Sequence, residues 1–175
     1  MTALISFHNN TLGRLEVTSG WLVPTLARLV FAATLLVYYW NSAKTKVGSG
    51  FFGFLSPSDG AYVQIFPKAM EAVSYDSSQL GVFHWAVAVA GTWAEFLLPA
   101  LIVIGLLTRF SALGMIAFVW VQTIVDVTGH GTALGNWFTA APNVLDQRTL
   151  WTFLLLMIVI NGAGPLSVDR ILRVK

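Results

Sequence analysis

The residues of this chain best suited to chemistry are polar side chains set inside apolar runs. Arg28 lies about two turns into the first long run, and Glu95 near the middle of the second. A charge in hydrocarbon is expensive, so such groups turn inward to a partner or a wet cavity. An ion pair between Arg28 and Glu95 is therefore expected, and it has two readings: it holds a bundle together, or it also touches a ligand or a proton path. Pro99 stands four residues after Glu95 and has no N–H to give to the Glu95 carbonyl. A kink and a freed carbonyl are thus expected beside the carboxylate, a common way to build a polar pocket in a membrane.

A second cluster follows in the third run, where Gln122, Asp126 and His130 recur at four-residue intervals and so share a helix face. His84 enters the second run at a similar level. Two histidines and a carboxylate could ligate a transition metal, and two histidines on adjacent helices a haem or copper. Against this, no HExxH spacing occurs, and histidine is common at membrane interfaces because its ring tolerates both phases. His84 and His130 are weak candidate ligands, and no metal is expected. The chain has no cysteine, which removes thiol and iron-sulfur chemistry of its own. With no GxSxG elbow, phosphate loop or paired solvent-facing acids, an enzyme acting alone is not expected.

The elements that must position these residues are membrane helices. At 56% hydrophobic and 10% charged residues, too little polar surface remains to cover a water-soluble globule. A span needs about 20 apolar residues, so 175 residues hold about four spans in a single all-α membrane domain, a four-helix bundle. The runs place them at 21–43, 81–107, 110–128 and 149–163. Pro24 sits in the first turn of the first span, where its missing N–H costs nothing. Tyr38, Tyr39 and Trp40 then form an aromatic belt ahead of Lys44 and Lys46, which read as a charged stop and not as the flank of a cleaved signal. The second and third spans are separated only by Thr108 and Arg109, which makes them antiparallel neighbours. Ala86, Ala90 and Ala94 form a small-residue stripe that reads as a packing face.

Two connections, 47–80 and 129–148, fall on one side and are rich in aromatics and turn residues, which predicts interfacial half-helices forming a cap. The side holding both termini carries Arg14, Arg109, Arg170, Arg173 and Lys175, the other Lys44, Lys46, Lys68 and Arg148. This bias places the termini in the cytoplasm. The few basic residues are spread over the span ends, so nucleic acid is not a partner.

The sequence resembles the DoxX family of small four-helix membrane proteins, which includes the small DoxD subunit of thiosulfate:quinone oxidoreductase. Arg28 with the stretch Asn41, Ser42, Ala43, Lys44 is similar to the family's arginine and its small-polar-lysine ending. Glu95, followed by Gly105 to Leu113 (GLLTRFSAL), is similar to the family's glutamate and its turn. Gly162 to Asp169 (GAGPLSVD) is similar to its closing motif. The connection 47–80 is longer than the family pattern. The resemblance implies a bacterial inner-membrane protein tied to redox or maturation systems, sometimes as a quinone-facing partner of an oxidoreductase.

The reading that follows is an accessory or anchoring subunit of an oxidoreductase or maturation complex. It would have a pocket for quinone or lipid between the first three helices, because apolar walls with a few convergent polar groups suit an amphipathic molecule. Arg28 and Glu95 would form its floor, Gln122 and Asp126 its wall, and Trp40, Trp93 or Trp120 its aromatics. A small-molecule or ion permease acting as a homo-oligomer is the alternative, although no inverted repeat or pair of broken helices supports it.

Overall fold

The computed structural model describes residues 2–139 and 141–174, the side chains of residues 14–16 excepted. Of the residues in the charge count, Lys175 and the Arg14 side chain therefore lie outside the described part. The fold is all-helical among the described residues apart from one isolated bridge, Val47 to Pro57. In order come α1 (Thr2–Phe31), a π-helical turn (Ala32–Leu36), α2 (Val37–Lys46), α3 (Asp59–Ile65) and α4 (Pro67–Ala72). A 3-10 turn (Ser77–Gln79), α5 (Val82–Ile104), α6 (Thr108–Thr128), α7 (Val144–Asn161) and α8 (Val168–Leu172) complete the chain.

Among the described residues four helices are long and apolar enough to cross a membrane: Val17–Lys46, Val82–Ile104, Thr108–Thr128 and Val144–Asn161. Only 17–28% of their most apolar windows is buried inside the protein. Ile104, Leu113, Ile124, Phe153 and Ile160 are between 48% and 66% exposed. Side chains of this kind on the outer faces of every span need lipid as their solvent.

The π turn has a packing reason. Phe31, Leu35, Tyr39 and Ala43 are all buried, yet a strict four-residue spacing drifts by about 40° per step around a regular α-helix. One wider turn absorbs part of that drift and keeps the four side chains on the bundle side. On α5 the buried set is Ala88, Thr92, Glu95, Pro99 and Ile102, alternating steps of four and three. The stripe Ala86, Ala90, Ala94 does not pack inside: Ala86 and Ala90 are exposed and Ala94 is half-buried. It lies off the heptad face that carries Glu95, and so it looks outward.

α5 and α6 are joined by the predicted tight turn, with Gly105 at φ +73° and Leu107 at φ +47°. The first connection forms the expected short helices: α3 begins at the Ser58 cap, whose side chain accepts from the Ala61 N–H, and α4 begins at Pro67. The second does not. Residues 129–143 carry no helix among those described, in keeping with the positive-φ glycines Gly131 and Gly135 and with Pro142. α7 instead starts early, because Asn143 caps it by accepting from the Asp146 N–H at 3.0 Å. Arg148 thereby enters the fourth span.

Candidate site: a polar cavity at mid-bundle

Glu95 is 3% exposed, and its partner is Lys46. Lys46 Nζ lies 3.0 Å from Oε2 and 3.1 Å from Oε1. Ser42, one turn earlier on α2, donates from Oγ to Oε1 at 3.2 Å and accepts from Lys46 Nζ at 2.6 Å. Ser42 and Lys46 share a helix face by their spacing. The lysine stem runs back along the helix so that its ammonium reaches the carboxylate.

The expected pair between Arg28 and Glu95 does not form. Arg28 reaches α5 at Ile102 and Val103, seven and eight residues past Glu95 and so about 11 Å further along the axis. There Nε donates to Ile102 O at 2.9 Å and Nη2 to Val103 O at 2.5 Å. Nη1 donates to Ala163 O at 2.7 Å and to Leu166 O at 2.6 Å. The guanidinium thus satisfies carbonyls at the α5 C-terminus, where the helix dipole favours a cation, and ties them to the chain after α7. A Cβ on Gly105 would lie 2.5 Å from Ser167 Cβ and 2.8 Å from Arg28 Nη2, so only glycine fits beside this staple.

Asp169 completes the same joint. Its Oδ1 accepts from the Leu107 N–H at 2.7 Å, and its Oδ2 from the Thr108 N–H at 2.9 Å and the Thr108 hydroxyl at 2.7 Å. Burial pushes this carboxyl up, but the hydrogen bonds from Thr108 and Leu107, with the nearby Arg28 charge, outweigh it and hold the group below its ordinary range.

The third-helix cluster holds together around a void. A cavity of about 190 Å³ is lined by Ser42 and Lys46 of α2, Gln64 and Ile65 of α3, Glu95 of α5, Gln122 and Asp126 near the end of α6 and His130 just past it. Val87, Gly91, Phe118, Val121 and Val125 supply its apolar wall. The pocket therefore lies between the first three spans with Glu95 at its base and Gln122 and Asp126 on its wall. Lys46 takes the place expected for Arg28. Phe118 is its aromatic, while Trp40 turns to the Phe96 carbonyl at 3.2 Å and Trp93 packs on Phe54 at 5.3 Å.

Asp126 is held by Arg148, Nη2 to Oδ2 at 3.0 Å, and the guanidinium lies 4.5 Å over the Trp151 ring. Gln122 donates to the Tyr38 hydroxyl at 3.0 Å. His130 Nε2 lies 3.0 Å from the Gln64 carbonyl, which links the α6 end to the α3 roof. His84 sits instead among Phe66 and Phe83, at 4.8 Å and 5.7 Å. Among the described residues no three His, Asp or Glu side chains gather as a metal site.

The DoxX family model matches residues 23–131. The chain belongs to the DoxX family. The match takes in the Glu95 cavity and the Arg28 staple as far as Val103, and stops before α7 and the closing stretch that holds Asp169. An uncharacterized protein of Haemophilus influenzae is 27% identical over 90 residues, which cover 51% of this chain and 54% of that protein. The chain thus matches about half the length of that relative. No solved structure matches it.

In this DoxX chain sequence reasoning missed Lys46, Ser42, Gln64 and Arg148 among the polar members of the site. Ser42 and Lys46 carried a signal, since a serine and a lysine one helical turn apart can serve one carboxylate. Arg148 carried one in Asn143 and Asp146, which mark a helix start before it.

Proposed function

We propose that this DoxX protein is an accessory subunit of a bacterial inner-membrane redox or maturation complex, whose Glu95 cavity takes the ring of an amphipathic molecule such as a quinone. The observation that carries this reading is a void of about 190 Å³ with an ion pair at its base and valines and a phenylalanine along its wall. A dry cavity of about 150 Å³ holds benzene, so this one suits a single substituted ring whose tail stays in lipid. Gln122 has one amide N–H beyond the one it gives Tyr38 and offers it to a ring carbonyl, and Glu95 and Asp126 accept from a hydroxyl. The role here is binding and orientation, with electrons handled by the partner oxidoreductase.

Cytoplasmic termini belong to the same proposal, and the placement of the basic residues supports them. Lys46 and Arg148 are buried in ion pairs, so the cap presents Lys44 and Lys68, against Arg109, Arg170 and Arg173 on the other side. Calorimetric titration of a short-chain quinone into the detergent-purified protein tests the binding reading. Saturable binding is expected in the wild type, with at least a tenfold loss in Gly91→Leu, which fills the cavity from its wall. Equal binding by both, with the helical circular dichroism unchanged, would overturn it.

A further inference from the structure

We propose a second site, at the opposite end of the bundle, that binds the phosphodiester headgroup of an anionic phospholipid. A cleft of about 600 Å³ opens there between the start of the first span, the α5–α6 turn and the chain following α7. Arg109 and Arg170 line it, and both are exposed. Arg109 gives Nη1 to the Val159 carbonyl at 3.0 Å, and Nε and Nη2 lie 3.2 Å from where a Cβ on Gly162 would stand. The lack of a side chain at Gly162, itself at φ +75°, therefore lets the guanidinium lie flat against the chain after α7.

The carboxylate in the cleft does not cancel this charge. Asp169 is committed to Leu107 and Thr108 and is close enough to Arg28 for that charge to lower its pKa. Two arginines are left facing one opening, and guanidinium groups bind phosphate oxygens in a fork geometry. A lipid suits the cleft better than a free anion. Its volume far exceeds one phosphate group, and its rim carries Trp21 and Phe110, 49% and 74% exposed, at the level where the spans end. Aromatic rings and arginines together at a span end mark the headgroup layer, and basic pockets between helices bind anionic headgroups.

The test is a lipid titration of the delipidated full chain in a neutral detergent, followed by native mass spectrometry. Phosphatidylglycerol and phosphatidylcholine are compared, with sodium phosphate as a separate arm. Phosphatidylglycerol is expected to bind at least tenfold more tightly than phosphatidylcholine. The Arg109→Gln/Arg170→Gln variant should lose that preference. Because Arg109 also ties α7, Arg170→Gln alone is the second variant, expected to weaken phosphatidylglycerol binding at least threefold. Arg173→Gln, outside the cleft lining, should change nothing. Equal binding of both lipids, or an Arg173→Gln loss as large as that of Arg170→Gln, would overturn the site. Full displacement of phosphatidylglycerol by millimolar phosphate would show a free-anion site and overturn the lipid assignment.

Discussion

Breaking the Lys46–Glu95 pair should destabilise the protein far more than removing both charges together. The two side chains are 6% and 4% exposed and 3.0 Å apart. At that distance and an effective dielectric of about 20 the attraction is about 5 kcal/mol, and desolvation of both ions offsets much of it. Removing one partner forfeits the attraction but leaves the other ion buried, at a cost of about 3–5 kcal/mol. Lys46→Met and Glu95→Gln are each expected to lose that much, while the double variant is no worse than the milder single. The coupling energy should then reach at least about 3 kcal/mol, the size of the larger single loss and the upper end of the range seen for contacting residues. Reversible unfolding in mixed micelles with rising dodecyl sulfate, followed by tryptophan fluorescence, gives the four free energies. The cycle between Arg28→Met and Glu95→Gln serves as the contrast, since those groups act at different levels of α5 and should add within about 0.5 kcal/mol. An additive Lys46/Glu95 cycle, or a strongly coupled Arg28/Glu95 cycle, would refute the assignment of partners.

Arg28→Lys keeps the charge but cannot reach four carbonyls at once, so a loss of about 2 kcal/mol or more is expected in the same unfolding assay. Asp169 has a folded-state pKa below its ordinary 3.8, so its contribution is present above that range and lost as pH falls through the folded value. Asp169→Asn should therefore lower stability at neutral pH and flatten the fall in stability as the pH drops through and below 3.8. Arg148→Met should cost less than Lys46→Met, about 1–2 kcal/mol, because Asp126 is 28% exposed and can recover solvent; unfolding free energies compared side by side check the order.

The four spans were legible because hydropathy and length are properties of a segment by itself. Glu95 and Arg28 were legible as polar groups needing partners, since a charge in an apolar run stands out whatever its neighbours. Their partners were not, because a sequence states how far along its own helix a residue lies, and not how two helices tilt or slide past each other. Lys46 reads as a stop because it ends an apolar run, yet the same position puts a long flexible cation within reach of α5. Arg148 reads as a loop residue when the apolar run is taken to begin at Thr149, and moves into the bundle once the Asn143 cap is recognised. The face shared by Gln122 and Asp126 follows from helix periodicity alone, whereas His130 lies two residues past the end of α6 and reaches the cavity from outside the helix. The outward stripe of Ala86 and Ala90 shows the limit of that logic, since small residues suit close packing but do not state which face is packed.

Photolabelling with a quinone that carries the reactive group on its ring, done in native membranes and mapped by peptide sequencing, tests the cavity most directly. Label is expected on the α5 segment between Val87 and Glu95 and on the α6 segment between Phe118 and Asp126, both reduced by excess unlabelled quinone and by Gly91→Leu. Label confined to lipid-facing residues such as Leu97 and Leu113, insensitive to competitor and to Gly91→Leu, would contradict a quinone site at Glu95.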